Sequence, residues 1–228
     1  MIFKDQYDPS FGRKSVFTIC ITVSVSVSIL LMYIEQLSSF PWLQPYQISG
    51  DFVRRSMIAG CLILYFVRLQ VTVWIFQKRF WTWFETITIS ILMSFVLFVF
   101  ATAGGNNKQA VGVLEMIGVL LYLSGSFINT FSEYARHVWK LKAENTGRLY
   151  TGGLFRLAMH INYFGDILLF TGFAMITHRS GVYVIPLAMT VNFIFNIIPL
   201  LDRYLDKKYG DEFRDYSKKT KKLIPLIY

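Results

Sequence analysis

Long apolar runs, broken by short polar or glycine-rich connections, organise this chain. Ser15 to Ile34 is long enough to span a bilayer, and no small-residue cleavage site follows it, so a retained helix is expected. A second run covers about Ser56 to Phe76 and a third about Phe84 to Ala103, after which Gly104-Gly105-Asn106-Asn107 marks a turn. The fourth starts near Ala110 and outlasts its own apolarity, continuing through Asn129, Glu133 and Arg136, which share one helical face. A basic connection from Lys140 to Gly153 leads to a fifth run, about Leu157 to Ile176, and a sixth, about Val182 to Leu201. Pro186 and Pro199 are compatible with membrane helices, where neighbours re-satisfy the freed backbone. The predicted architecture is all-α: a polytopic integral membrane helix bundle of about six transmembrane helices, one domain over residues 1–228, with a basic C-terminal tail.

Composition agrees with that class. With 54% apolar, 17% aromatic and only 16% charged residues, the chain is too apolar for a water-soluble domain. Its net charge of +9 is unevenly spread. With the N-terminus inside, one side collects Lys4, Arg13, Lys14, Lys78, Arg79, Arg136, Lys140, Lys142, Arg148 and the tail, while the other keeps Arg54, Arg55, Lys108 and Arg179. That imbalance predicts cytosolic N- and C-termini, in the endoplasmic reticulum or a bacterial inner membrane, and points to anionic partners other than nucleic acid. Lys218-Lys219-Thr220-Lys221-Lys222 suits membrane lipid, at about 1 kcal/mol per basic residue near an anionic surface, or else a phosphate-rich cofactor. Cys20 and Cys61 lie inside apolar runs and suggest neither a disulfide nor a metal site.

Polar residues inside the apolar runs carry the chemistry. From Gly152 to Gly172 the chain packs Arg156, His160, Asn162, Tyr163 and Asp166 into a short stretch, and each ionisable group at bilayer depth costs roughly 2.5–3.5 kcal/mol unless it faces protein or a wet cavity. Arg156, His160 and Tyr163 are expected at i, i+4 and i+7 on one helix face, with Asn162 and Asp166 on the adjoining stripe. Tyr65 and Arg68 share a face of the second span, and Arg68 needs a partner or a cavity there. Glu35, just beyond the first span, reads either as an interfacial residue turned to water or as a carboxylate near Tyr65. There is no P-loop and no Gly-x-Gly-x-x-Gly after a strand, so a nucleotide would be held by side chains.

Several motifs in one order resemble the steroid 5-alpha-reductase family. Gly152-Gly153-Leu154-Phe155 and Asn162-Tyr163-Phe164-Gly165-Asp166 are similar to its Gly-Gly-Leu-Phe and Asn-Tyr-Phe-Gly-Glu elements. Asn129 to Tyr134 resembles its Asn-x-x-Ser-Asp-Tyr, and the tail from Glu212 to Tyr216 and from Leu223 to Tyr228 is similar to those of 5-alpha-reductases and trans-2-enoyl-CoA reductases. Lys208-Tyr209-Gly210 matches an element of the sterol C14/C7 reductases. The likeness is fullest over about residues 110–228 and thinner in Leu64 to Arg68 and Glu35 to Phe40.

The resemblance implies an NADPH-dependent reductase of a carbonyl-conjugated carbon–carbon double bond in a lipophilic substrate, such as a 3-oxo-4-ene steroid, a sterol or another enone. Carried over, Tyr65 holds the carbonyl oxygen with Glu35 or Gln36 beside it, and Asn129, Glu133, Lys140, Arg148, Asn162, Asp166 and Tyr209 hold the cofactor. The ungapped match puts Gln36 on the family's catalytic glutamate, a family histidine is Leu205 here, and a tyrosine expected before Arg148 is Gly147. Two alternatives stay open. An S-adenosylmethionine-dependent methyltransferase of the isoprenylcysteine carboxyl type would share His160, Tyr163, Gly165 and Asp202, and an inactive homologue would keep the scaffold alone.

Overall fold

The computed structural model describes residues 8–33, 42 and 46–228. Glu35 and Gln36 lie outside the described residues. The described residues form α1 (Phe11–Tyr33), α2 (Phe52–Phe76), α3 (Trp83–Gly105), α4 (Val113–Lys140), α5 (Ile161–Thr177), α6 (Ser180–Tyr209) and α7 (Asp211–Lys219), with no strand among them. Five of these helices are long and apolar enough to cross a membrane, and the protein is a polytopic integral membrane helix bundle. The sixth apolar helix, α5, has 17 residues. At 1.5 Å per residue it is about 26 Å long, the short end of what a span needs.

Local chemistry sets the ends. Asp51 and Thr82 cap α2 and α3 by accepting from the Arg54 and Glu85 amides. The fourth span starts at Val113, a few residues later than its apolarity suggests, because the Gly112 amide is taken by the Glu115 carboxylate at 2.7 Å. α2 ends in a π-helical turn, Thr72–Phe76, and α6 contains another, Phe193–Ile197. Such turns often lie at functional sites.

α5 differs from expectation. It begins at Ile161, so Arg156, His160 and Tyr163 do not share one helix face. Residues Gly153–Arg156 form a separate 3-10 turn and leave Arg156 exposed, whereas His160 is buried. The C-terminal tail takes the groups a longer helix would need. The Met159 and His160 amides donate to the Lys221 and Lys222 carbonyls at 2.8 and 2.9 Å, and the Phe155 carbonyl accepts from the Tyr216 hydroxyl at 2.5 Å.

The helix pair at the centre is α4 with α5. Gly118 faces Gly172, and Gly125 faces Gly165, at matching seven-residue intervals on antiparallel helices. A Cβ on Gly125 would stand 2.4 Å from the Gly165 oxygen, and one on Gly172 would stand 2.4 Å from the Gly118 oxygen. Only hydrogen fits, so the two backbones approach closely enough for dispersion to hold them within lipid. Around them Phe100 stacks on Phe173 at 4.2 Å, and Phe170 meets the edge of Tyr65 at 5.5 Å.

At the end where α2, α4 and α6 begin, Arg54 and Glu115 form a buried ion pair at 2.9 Å, extended by Arg54 to the Ile176 carbonyl at 2.6 Å and by His178 to Glu115 at 2.5 Å. Arg54 and Arg55 are thus internal ties; Arg55 donates to the Met32 carbonyl at 2.5 Å. The opposite end gathers the start of α5, the close of α4 and the tail.

Candidate active site

Between these ends the helices hold a chain of polar side chains. Tyr65 on α2 is buried, with its hydroxyl directed to the Met93 sulfur at 3.4 Å, a weak acceptor that leaves the O–H available to a better one. One turn on, the Arg68 guanidinium lies 5.0 Å over the Tyr65 ring and donates to Asp166 on α5 at 3.0 Å. Arg68 Nε and Nη1 are buried without a hydrogen-bond partner among the described residues, as is Ser126 Oγ on α4. Buried donors left unpaired cost about 1–3 kcal/mol each, so they select for a ligand with acceptors.

The chain of contacts continues toward the tail. Asn129 donates to the Asn162 carbonyl at 3.0 Å, and the Asn162 carboxamide donates to Glu133 at 2.9 Å. Glu133 pairs with Arg136, whose guanidinium lies 5.4 Å over the Phe155 ring. The Gly125 and Gly165 approach makes this network possible, since it brings the Asn129 turn of α4 against the start of α5.

The tail closes this end of the bundle. His160 hydrogen-bonds Asp202 of α6 at 2.8 Å, Lys222 reaches the other oxygen of Asp202 at 3.5 Å, and Leu223 is buried. Glu212 accepts from the Leu149 amide at 3.2 Å. Burial raises the Tyr216 hydroxyl pKa well above its ordinary value, so this group remains a donor to Phe155.

Of the residues the sequence singled out, Tyr65, Asn129, Glu133, Asn162 and Asp166 come together with Arg68 as one connected set. Lys140 ends α4, Arg148 is exposed in the following loop and Tyr209 ends α6, all at the tail end of the bundle. Arg68, which needs a partner at this depth, has one in Asp166. His160 and Asp202, which the sequence offers for methyl transfer, meet in a clasp with Lys222 of the basic tail cluster; Ser126 is the one site feature that sequence reading does not single out, because a serine in a helix carries no pattern of its own.

An all-helical membrane protein with its polar machinery inside the bundle and toward one end is the class this geometry defines. Residues 54–220 match the family described as "Protein of unknown function (DUF1295)", and the chain belongs to this steroid 5-alpha-reductase-like family. It is similar to 3-oxo-5-alpha-steroid 4-dehydrogenase 2 of Rattus norvegicus, 30% identical over 111 residues, which are 49% of this chain and 42% of that protein. To 3-oxo-5-alpha-steroid 4-dehydrogenase 1 of the same species it is 29% identical over 154 residues, covering 60% and 57%. It is also 26% identical over 139 residues, 58% and 48%, to a protein of Ustilaginoidea virens named "Probable O-methyltransferase ustE". The chain spans about half the length of the curated relatives it matches.

Proposed function

We propose that this protein is an NADPH-dependent membrane reductase of a carbonyl-conjugated carbon–carbon double bond in a lipophilic substrate, a 3-oxo-4-ene steroid or a similar sterol or enone. The single observation that carries this reading is the buried Tyr65 and Arg68 pair, with unpaired donors on Arg68 and Asp166 holding it in place. NADPH would supply hydride to the carbon beta to the carbonyl. The chain's part is to stabilise the negative charge that this addition pushes onto the carbonyl oxygen. Tyr65 donates a hydrogen bond to that oxygen, in a dry site where a fixed donor is worth more than in water, and the alpha carbon of the enolate then takes a proton derived from water to complete the reduction. Glu35 or Gln36 is proposed as its neighbour.

The residues present fit the cofactor. Asn129, Glu133, Asn162 and Asp166 offer carboxamides and carboxylates of the kind that hold a nicotinamide and its ribose, and the unpaired Arg68 and Ser126 groups lie in the same polar core. Lys140, Arg148 and Tyr209, toward the tail, are proposed for the phosphates and the outer part of the cofactor. With the positive-inside distribution, that end and both termini would face the cytosol.

A second reading has an observation in its favour: the buried His160 pairs with Asp202, two residues that methyl-transfer chemistry on this scaffold would use, and one relative is named as a methyltransferase. Titrating NADPH and S-adenosylmethionine separately into detergent-purified protein distinguishes the readings. Saturable NADPH binding, weakened by Asn162→Ala, together with reduction of a 3-oxo-4-ene steroid, is the expected result. Binding of S-adenosylmethionine alone would transfer the site to methyl transfer, and binding of neither would leave a scaffold without this chemistry.

A further inference from the structure

A groove runs between α3 and the start of α6, at the end of the bundle away from Tyr209 and the tail. It has a volume of about 630 Å³, within the range of small-molecule sites. Phe95, Val99 and Ala103 of α3 form one wall and Val184 and Ile185 of α6 the other, with Arg179 at its rim. From Phe95 to Ala103 the wall rises eight residues, about 12 Å of helix. The groove is apolar and opens on the outside of the bundle, so in a bilayer its neighbour is hydrocarbon. An apolar groove on the lipid-facing side of a bundle is filled by what surrounds it, and in a bilayer that is an acyl chain.

The rim determines which lipid. The Arg179 side chain is exposed and has no hydrogen-bond or ion-pair partner among the described residues, and the same holds for the Lys108 side chain in the adjacent turn. Among the described residues, the acidic side chains of this end are already engaged: Asp51 caps α2, and Glu115 is held by Arg54, His178 and the Gly112 amide. An uncompensated positive rim above an apolar groove matches an amphiphile with a negative head and a hydrocarbon tail. We propose that this groove seats one acyl chain of an anionic membrane phospholipid, with its phosphodiester on Arg179. The site is independent of the reductase reading, because it shares no residue with the Tyr65 and Arg68 core.

The test uses the full-length protein, delipidated in a neutral detergent, with dioleoyl phosphatidylglycerol and dioleoyl phosphatidylcholine as probes. Native mass spectrometry is expected to retain one phosphatidylglycerol in preference to phosphatidylcholine, and phosphatidylglycerol is expected to raise the unfolding temperature more. Arg179→Gln should weaken phosphatidylglycerol retention roughly fivefold, the scale of one basic residue at an anionic surface, while Lys108→Gln keeps most of the preference. Ala103→Phe, which projects a ring from the α3 wall into the groove, should reduce retention of both lipids. Equal retention of the two lipids by the unaltered protein would overturn the proposal. So would an undiminished preference in Arg179→Gln, which remains decisive even if Ala103→Phe does not fold.

Discussion

Arg68 of α2 and Asp166 of α5 meet at 3.0 Å inside the helix bundle, and this ion pair fixes where the Tyr65 hydroxyl stands relative to the polar face of α5. Arg68 is 8% exposed and Asp166 20%, so neither is hydrated enough to tolerate the loss of the other. Asp166→Leu should cost about 3–5 kcal/mol, the scale for stranding a buried charge, read as a lower unfolding temperature in detergent. The double variant Arg68→Met, Asp166→Leu should recover most of that loss while leaving NADPH binding abolished. Recovery of binding along with stability would remove the pair from the site.

Tyr65→Phe deletes a hydroxyl whose partner is the Met93 sulfur, so folding should be barely affected. Turnover of an enone substrate should fall by roughly a hundredfold, the lower range of help from a positioned proton donor. NADPH affinity should stay unchanged. An unaltered rate would exclude Tyr65 as the carbonyl donor.

The glycines of the central helix pair make a contrasting set. Gly125→Ala places a methyl 2.4 Å from the Gly165 oxygen and the Leu169 nitrogen, and should cost about 1–3 kcal/mol as α4 and α5 are pushed apart. Gly60→Ala, in α2 with nothing within 4 Å of the added carbon, should instead stabilise by about 0.5–1 kcal/mol. Thermal unfolding of the two variants under identical conditions checks both signs.

Tyr216→Phe removes the bond to the Phe155 carbonyl, for a loss of about 0.5–1.5 kcal/mol localised to the tail. Hydrogen exchange at the Met159 and His160 amides, which donate to Lys221 and Lys222, should accelerate. The folded state raises the Tyr216 pKa, so folding favours the neutral phenol. Its contribution is therefore complete below the ordinary tyrosine pKa of about 10 and declines as the pH rises beyond it. Exchange in the unaltered protein should accordingly gain an extra alkaline component that the variant lacks.

The bundle was readable from the chain because lipid imposes one requirement on every span: about twenty apolar residues with all backbone groups bonded within the helix. Of the candidate site, Arg68, Asn162 and Asp166 were visible for a related reason: polar groups at membrane depth are costly and stand out against an apolar background. Tyr65 draws notice through its place beside Arg68, whereas Asn129 and Glu133, on a stripe where α4 outlasts its apolarity, are singled out by the family resemblance. Arg156 falls outside this rule, because it adjoins the apolar run but lies in the 3-10 turn before the helix.

What the sequence determined by itself was the class of protein, the order of its spans and the inventory of polar groups inside them. Hydrophobicity and helical period are local properties, and a single strand of text carries them. Which groups meet was decided by tertiary structure alone. Arg68 and Asp166 are 98 residues apart, and Asn162 reaches Glu133 because Gly125 and Gly165 let two backbones nearly touch. The start of α5 was also a tertiary decision: the tail claims the carbonyl of Phe155 and offers those of Lys221 and Lys222 to Met159 and His160, ending in favour of the tail a competition among hydrogen bonds that no local pattern records.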